Sequence, residues 1–177
     1  MAVRRKSFES VRGVFSDDPC VKPESYREWK ANGYQCWGDL EFTGAGEPTT
    51  FEVRPLEHGS RLAVSSTAPD RGLYRASMLT MFALHRLNHY EVEKPDGSVQ
   101  TVPQPHRETA TGGGVSMVTD KWMSDWRILN HHLEEIGLVV EAITEVSAPL
   151  SVPSDRQPGH TSESTPNGGK TSRRATA

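Results

Sequence analysis

"TDKWMSDWRILNHHLEEIGLVVEAITEV", residues 119–146, carries the strongest periodic signal in this chain. Its large apolar residues are spaced by four and three positions in turn, at Trp122, Trp126, Leu129, Leu133, Ile136, Val140 and Ile143. This spacing predicts one long amphipathic helix with a heptad stripe, and Thr119 or Asp120 is available as its N-cap. Packing within the same domain accounts for such a stripe. The alternative is that part of it, with two tryptophans one turn apart, is an interface for a partner or for self-association.

A second helix is predicted upstream of this stripe. Pro69 and Asp70 open it, and it continues to about Leu87 with apolar residues over more than half of its girth. The pattern indicates the central buried helix of the domain. A shorter helix precedes it, between Leu56 and the segment "SSTAP".

Alternating residues predict two β-hairpins. In the first, Leu40 and Phe42 alternate with polar residues, "TGAGEPTT" supplies the turn, and Phe51 and Val53 form the returning strand until Pro55 ends it. The second is a small inserted hairpin around the turn "PDGS", residues 95–98. The segment "QPHRETATGGGVS", residues 104–116, is predicted to be a mobile loop.

These elements predict an α+β, mainly helical fold with three segments. Residues 1–35 lack sustained periodicity and are expected to be a weakly ordered N-terminal extension, followed by a single globular domain over residues 36–147. Residues 148–177 are rich in Pro, Ser and Thr and almost free of apolar residues, so we expect a disordered tail.

Composition narrows the range of functions. The net charge of -3 combines +3 in residues 1–12, +3 in residues 170–177 and -9 between them, and the acidic body argues against nucleic-acid binding. No apolar run reaches the ~18 residues of a membrane span, and the first residues lack the apolar stretch of a signal peptide, so a cytoplasmic protein is expected. Cys20 and Cys36 are expected to be free thiols.

No motif predicts an enzyme or a cofactor. "NGGKTS", residues 167–172, lacks the first glycine of a phosphate-binding loop, because Ser164 stands at that position. His85 and His89 have the i, i+4 spacing that can direct two imidazoles to one metal ion, but the sequence identifies no third ligand, and polar histidines at a helix end are the favoured interpretation. In "NHHLEE", residues 130–135, a helix-surface interpretation is favoured over a nuclease motif.

The order of elements resembles the tail assembly chaperones of long-tailed bacteriophages. "FEVRPLEHG", residues 51–59, is similar to their strand-to-helix connection, and the likeness in organisation covers about residues 40–177. The resemblance implies a non-catalytic protein of the host bacterial cytoplasm that binds the tape-measure protein and helps to recruit tail-tube protein. It implies apolar helix faces as contact surfaces, for which we expect Trp122, Trp126, Leu129 and Leu133.

The resemblance also suggests a role for Gly168, Gly169 and Lys170. In these chaperones a slippery heptamer near a Gly-Lys pair lets some ribosomes slip back one base and make a longer product. The three residues can be encoded as GGG GGA AAG, which contains such a heptamer. Two alternatives remain open: a virion adaptor of the head-tail connector type, and a small metal-dependent enzyme that uses His85 and His89.

Overall fold

The structure is a computed structural model that describes residues 10–68, 72–109 and 114–147. Over these ranges it contains five α-helices: α1 (Pro23–Ala31), α2 (His58–Thr67), α3 (Gly72–Ala83), α4 (Asp120–Trp126) and α5 (Asn130–Ser147). It also contains seven strands there: β1 (Val11–Val14), β2 (Thr50–Val53), β3 (Leu84–Asn88), β4 (Glu91–Glu93), β5 (Val99–Thr101), β6 (Arg107–Thr109) and β7 (Ser116–Val118). The predicted α+β class is confirmed. The predicted disordered tail, residues 148–177 with Gly168, Gly169 and Lys170, lies outside the described residues.

A three-stranded antiparallel sheet with the order β1-β2-β3 forms one layer of the core. Phe51 and Val53 of the central strand β2 are fully buried, as their alternation predicts. Gly13 of β1 lies opposite Phe51, and a Cβ atom at this glycine would come within 2.3 Å of the phenyl ring. Glycine at position 13 therefore gives the Phe51 ring the room to lie over β1.

The predicted hairpin between Leu40–Phe42 and Phe51–Val53 is wrong. Phe42 forms only an isolated bridge with Val21, whereas β2 pairs with β1 on one side and with β3 on the other. Alternation identifies a segment that can form a strand but does not identify its partner. The observed pairing buries apolar residues of all three strands, and it leaves Phe42 exposed.

Residues 10–35, which the sequence analysis assigned to a weakly ordered extension, form β1 and α1 and contribute to the core. Trp29 is fully buried, and the rings of Tyr26 and Tyr34 pack edge-on against it with centroids 5.7 and 4.9 Å away. A helix as short as α1 is marginal by itself, so this aromatic packing stabilises it. The segment lacks sustained periodicity because β1 and α1 are short, and β1 is held by pairing with the distant strand β2. Residues 1–9 lie outside the described residues.

The predicted central helix is present, but it is shorter than expected. α3 packs against α5, where Gly137 lies close to Ala76, and a Cβ atom on Gly137 would be 3.3 Å from the Ala76 Cα. The helix ends at Ala83, and the chain continues as β3 instead of remaining helical to Leu87. The Arg107 guanidinium donates hydrogen bonds to carbonyl groups at this helix end, those of Met81, Phe82 and Leu84. A distant side chain thus satisfies carbonyls that the ending helix leaves unpaired.

The prediction of one long helix over residues 119–146 is wrong, because α4 and α5 are separate helices. Thr119 is the N-cap of α4 as predicted, since its side chain accepts a hydrogen bond from the Trp122 N–H. Arg127 then adopts the left-handed conformation, with φ 37°. The N–H of Leu129 donates to the Tyr90 hydroxyl at 3.2 Å, and Ile128 is buried. These tertiary contacts replace the helical hydrogen bonds that a continuous helix would make.

Two small hairpins complete the described part of the chain. The pairing of β4 with β5 confirms the inserted hairpin around residues 95–98, and the Lys94 N–H donates to the Ser98 carbonyl. The pairing of β6 with β7 corrects the loop predicted for residues 104–116. Arg107 stabilises this second hairpin by donating to the Ser116 carbonyl at 2.7 Å. Residues 110–113, between β6 and β7 in the sequence, lie outside the described residues.

Candidate functional site

The four residues expected to contact a partner are divided between core and surface. Trp122 and Leu133 are buried, and the Trp122 indole donates to the Pro103 carbonyl at 3.3 Å. Trp126 is partly buried against the core, and Leu129 is 52% exposed in the segment between α4 and α5. Leu129 is therefore the member of this set that is accessible to a partner.

His85 and His89 do not form the predicted i, i+4 pair on a helix. His85 lies in β3, and His89 follows it with a positive φ of 56° and an exposed side chain 2.9 Å from the Glu47 carboxylate. β3 replaces the end of the predicted helix, so the spacing no longer places the two imidazoles on one helix face. The hypothesis of a metal-dependent enzyme that uses this pair assumed one helix face, and the structure does not provide that arrangement.

His85 instead lines a cleft of about 470 Å³ together with Arg54 and Arg107. Burial and then the positive charges of Arg107 and Arg54 lower the pKa of His85 to about 4. Its imidazole is therefore neutral at neutral pH. Two guanidinium groups beside it disfavour a metal cation in this cleft.

A different group of side chains converges at the start of α5. Asp17 lies in the turn that follows β1, and His131 and His132 occupy the first turn of α5. The Nε2 atom of His131 is 2.9 Å from Asp17 Oδ2, and the Nε2 atom of His132 is 2.8 Å from Asp17 Oδ1. We call these three residues the Asp17 cluster, and one donor atom from each lies within 4.8 Å of the others.

The turn that carries Asp17 is anchored at both of its neighbours. The Ser16 N–H and hydroxyl donate to the Glu135 carboxylate of α5 at 2.8 and 2.5 Å. The Asp18 carboxylate accepts from the N–H groups of Cys20 and Thr49 at 2.7 and 2.6 Å. These contacts anchor the turn on both sides of Asp17 and hold Asp17 close to the start of α5.

His132 is fixed on the opposite edge of its ring. Its Nδ1 atom lies 2.7 Å from the hydroxyl of Tyr90, which also accepts the Leu129 N–H. The Phe15 ring packs on the imidazole with centroids 4.1 Å apart, and His132 and Tyr90 are both buried. The ring of His132 consequently has one orientation, with Nε2 directed to Asp17.

The charge of Asp17 follows from two opposed effects. Burial acts to raise its pKa, whereas hydrogen bonds from His132 and His131 and their coulombic effect lower it, and the net pKa is below the ordinary value. The carboxylate is therefore ionised at neutral pH, and it can accept hydrogen bonds or coordinate a cation.

A cleft of about 420 Å³ adjoins the Asp17 cluster. Its lining residues include the carboxylates of Asp17, Asp18, Glu47 and Glu91 and contain no lysine or arginine. The thiol of Cys20 also lines it, but burial and the Asp18 carboxylate raise its pKa, which disfavours the thiolate. This cleft suits a cation and contrasts with the arginine-lined cleft at His85.

Only part of this cluster is recognisable from the sequence. The pattern around His131 and His132 predicts helix-surface residues, and Asp17 falls in the extension expected to be weakly ordered. Two adjacent histidines in the first turn of a helix are the available signal. Their carboxylate partner is more than 110 residues away in the chain, so no local spacing indicates it.

Comparison of the chain with protein-family models, curated proteins and solved structures finds no match. Among the described residues, no helix combines the length and the apolar character needed to cross a membrane.

Proposed function

We propose that this protein is a tail assembly chaperone of a long-tailed bacteriophage that binds the tape-measure protein. The observation that carries the proposal is a set of large apolar side chains left exposed on the helices. Four of the seven exposed large apolar residues among the described residues lie on α2, α3 and α5: Leu62, Leu73, Tyr74 and Leu138.

The three helices that carry these residues are neighbours. α3 contacts both α5 and α2, and we call these three helices the helical layer. A tape-measure protein, as the resemblance describes it, is a long helical chain with apolar stripes. Contact between such a stripe and this layer would remove apolar surface from water on both chains, and burying one leucine side chain contributes roughly 1.5–3 kcal/mol.

The connection from β2 to α2 also supports the proposal. The segment "FEVRPLEHG" passes from strand to helix as the resemblance implies, with Pro55 between the two elements. Two contacts hold this connection on α5: the Leu56 N–H donates to the Thr144 hydroxyl at 3.1 Å, and Arg61 donates to the Thr144 carbonyl at 3.2 Å. α2 is thereby held against the helix that carries Leu138.

Co-expression with the tape-measure protein of the same phage tests the proposal. The wild-type chain should increase the soluble fraction of the tape-measure protein, and a variant with Leu62→Lys, Tyr74→Lys and Leu138→Lys should not. Each lost apolar contact should weaken binding by about tenfold or more. Val99→Lys is the matched control, because Val99 is 62% exposed but lies on the β4-β5 hairpin.

The Val99→Lys variant should retain the wild-type effect. An unchanged soluble fraction of the tape-measure protein in the presence of wild-type chain contradicts the proposal. If the triple variant and Val99→Lys lower the soluble fraction of the tape-measure protein equally, the assignment of binding to the helical layer is refuted.

The proposal includes a second, longer translation product that recruits tail-tube protein. The codons of Gly168, Gly169 and Lys170 test it directly: GGG GGA AAG permits the one-base slip, whereas GGC GGT AAG does not. Mass spectrometry of the expressed gene should detect peptides from the -1 frame downstream of Lys170. Synonymous codon changes that destroy the slippery sequence should abolish these peptides. The short product should be unchanged.

A further inference from the structure

The Asp17 cluster joins two parts of the chain that are far apart in sequence and presents three donor atoms of the kind that coordinate metals. Two are imidazole nitrogens from α5, and one is a carboxylate oxygen from the turn after β1. We propose that Asp17, His131 and His132 form a binding site for one divalent transition-metal ion of the Zn²⁺ type.

Each histidine lies about as close to an Asp17 oxygen as two ligands of one metal ion lie to each other. Zinc lies about 2.0–2.2 Å from nitrogen and oxygen ligands, so neighbouring ligands are separated by roughly 2.8–3.6 Å in octahedral or tetrahedral geometry. The Asp17 oxygens lie 2.9 and 2.8 Å from the Nε2 atoms of His131 and His132, and one donor atom from each residue lies within 4.8 Å of the others. The two histidines contact different Asp17 oxygens, so the half-exposed side chains of Asp17 and His131 must rotate for all three residues to contact one metal ion.

Two of the three ligands are held in place by neighbours that do not themselves coordinate. A histidine that binds a metal usually makes a hydrogen bond through its second ring nitrogen, which fixes the ring and the tautomer. His132 meets this requirement through the Tyr90 hydroxyl at 2.7 Å. Asp17 is positioned by the contacts of Ser16 and Asp18 with the rest of the fold.

The surrounding charges favour a cation, and the donor types select its class. Asp18, Glu47 and Glu91 line the adjoining cleft, and none of its lining residues is a lysine or arginine. Two nitrogen donors and one oxygen donor favour zinc-like ions over Mg²⁺ and Ca²⁺, which prefer oxygen ligands. Asp17 and His131 are each about half exposed, so water or a ligand from the cleft can fill the remaining coordination positions.

Hydrogen bonds alone provide the competing explanation of the same geometry. In that case Nε2 of each histidine carries a proton that it donates to Asp17, and Tyr90 donates its hydroxyl proton to Nδ1 of His132. In the metal-bound state Nε2 of both rings is deprotonated, and Nδ1 of His132 carries the proton. The two cases therefore differ in a tautomer that nitrogen NMR of the imidazole rings measures.

Calorimetric titration of the full chain with Zn²⁺, after treatment with a chelator, tests the site. One Zn²⁺ ion should bind per chain at this site, with a rise in melting temperature, and a large excess of Mg²⁺ should not compete. Asp17→Asn and His131→Gln should weaken Zn²⁺ binding by about 100-fold or more, because each removes a ligand. Both positions are about half exposed, so these variants should fold, and circular dichroism checks that they do.

His106→Gln is the matched control. His106 is an exposed histidine with Nε2 3.1 Å from the Glu108 carboxylate, and it lies outside the Asp17 cluster. This variant should bind Zn²⁺ like the wild type, and Zn²⁺ should shift the imidazole nitrogen signals of His132 to the Nδ1-protonated tautomer. The absence of Zn²⁺ binding overturns the proposal, and so does Zn²⁺ binding that Asp17→Asn and His131→Gln leave unchanged.

Discussion

The Tyr90 hydroxyl connects three parts of the fold at the scale of single residues. It lies against the Nδ1 atom of His132 and accepts the N–H of Leu129, so it joins the segment after β3 to α5 and to the α4-α5 junction. Tyr90 and His132 are both buried, and a buried polar group that loses its partner costs more than the hydrogen bond itself contributes.

Tyr90→Phe should therefore destabilise the protein. The substitution leaves the His132 Nδ1 and the Leu129 N–H without their observed partner, and we expect the free energy of unfolding to fall by about 1–3 kcal/mol. Urea denaturation measures the change. Tyr74→Phe, at a tyrosine that is 51% exposed, is the control and should change the value by less than about 0.5 kcal/mol. Equal stability of the two variants would refute the structural role of the Tyr90 hydroxyl.

His85 should make stability depend on pH. Its folded-state pKa is about 4, below the ordinary value of 6.5, because of burial and then the charges of Arg107 and Arg54. Between pH 6.5 and pH 4 the unfolded chain binds a proton at this residue that the folded chain does not. The His85 contribution to stability is therefore present above pH 6.5 and is lost as the pH falls towards 4.

Urea denaturation at several pH values, for wild type and His85→Gln, checks this expectation. The variant should show a smaller decrease in the free energy of unfolding between pH 6.5 and pH 4. An NMR titration of the His85 ring should give a midpoint near pH 4. A midpoint near 6.5 would contradict the burial of the imidazole beside the two arginines.

At the scale of elements, the junction between α4 and α5 determines where α5 begins and which side chains its first turn presents. A heptad stripe runs through residues 122–143 without interruption, yet Arg127 leaves the helical conformation. The break redirects the chain so that the first turn of α5 presents His131 and His132 to Asp17. A continuous helix would lack the hydrogen bond from the Leu129 N–H to the Tyr90 hydroxyl.

Arg127→Gly tests the break directly. A left-handed backbone costs an L-residue roughly 1–2 kcal/mol, and glycine avoids most of this cost, so we expect stability to rise by about 0.5–1 kcal/mol. Glu134→Gly, within α5, should lower stability by about 1 kcal/mol, as glycine does in a helix interior. Thermal or urea unfolding compares the two variants. A loss of stability in both would indicate that residue 127 is helical.

Long-range contacts of the segment before residue 36 matter at the scale of the whole molecule. β1 supplies one edge of the sheet, and Phe15 and Trp29 are buried in the same core as residues of α3 and α5. The Asp17 cluster also depends on this segment. Because the close-packed core includes large aromatic residues of this segment, removal of the segment would leave the core incompletely packed.

Deletion of residues 1–35 should therefore abolish the cooperative fold. The truncated chain loses a strand of the sheet and four buried aromatic side chains, and truncation of one large aromatic side chain alone typically costs about 3–5 kcal/mol. Thermal unfolding followed by circular dichroism should show no sharp transition. A truncated protein that unfolds cooperatively near the wild-type temperature would support the alternative, a weakly ordered extension attached to an independent domain.

The amino-acid sequence by itself determined the features that depend on neighbouring residues. These are the mixed α+β class, the N-cap at Thr119, which was one of two candidates, and the hairpin around residues 95–98, because capping and turn chemistry act over a few positions. Only the tertiary structure decided the partners of β2, the end of α3 at Ala83 and the break at Arg127. It also brought Asp17 to His131 and His132. Each of these depends on contacts between residues far apart in the chain, and local patterns carry no information about which distant segments will pack together.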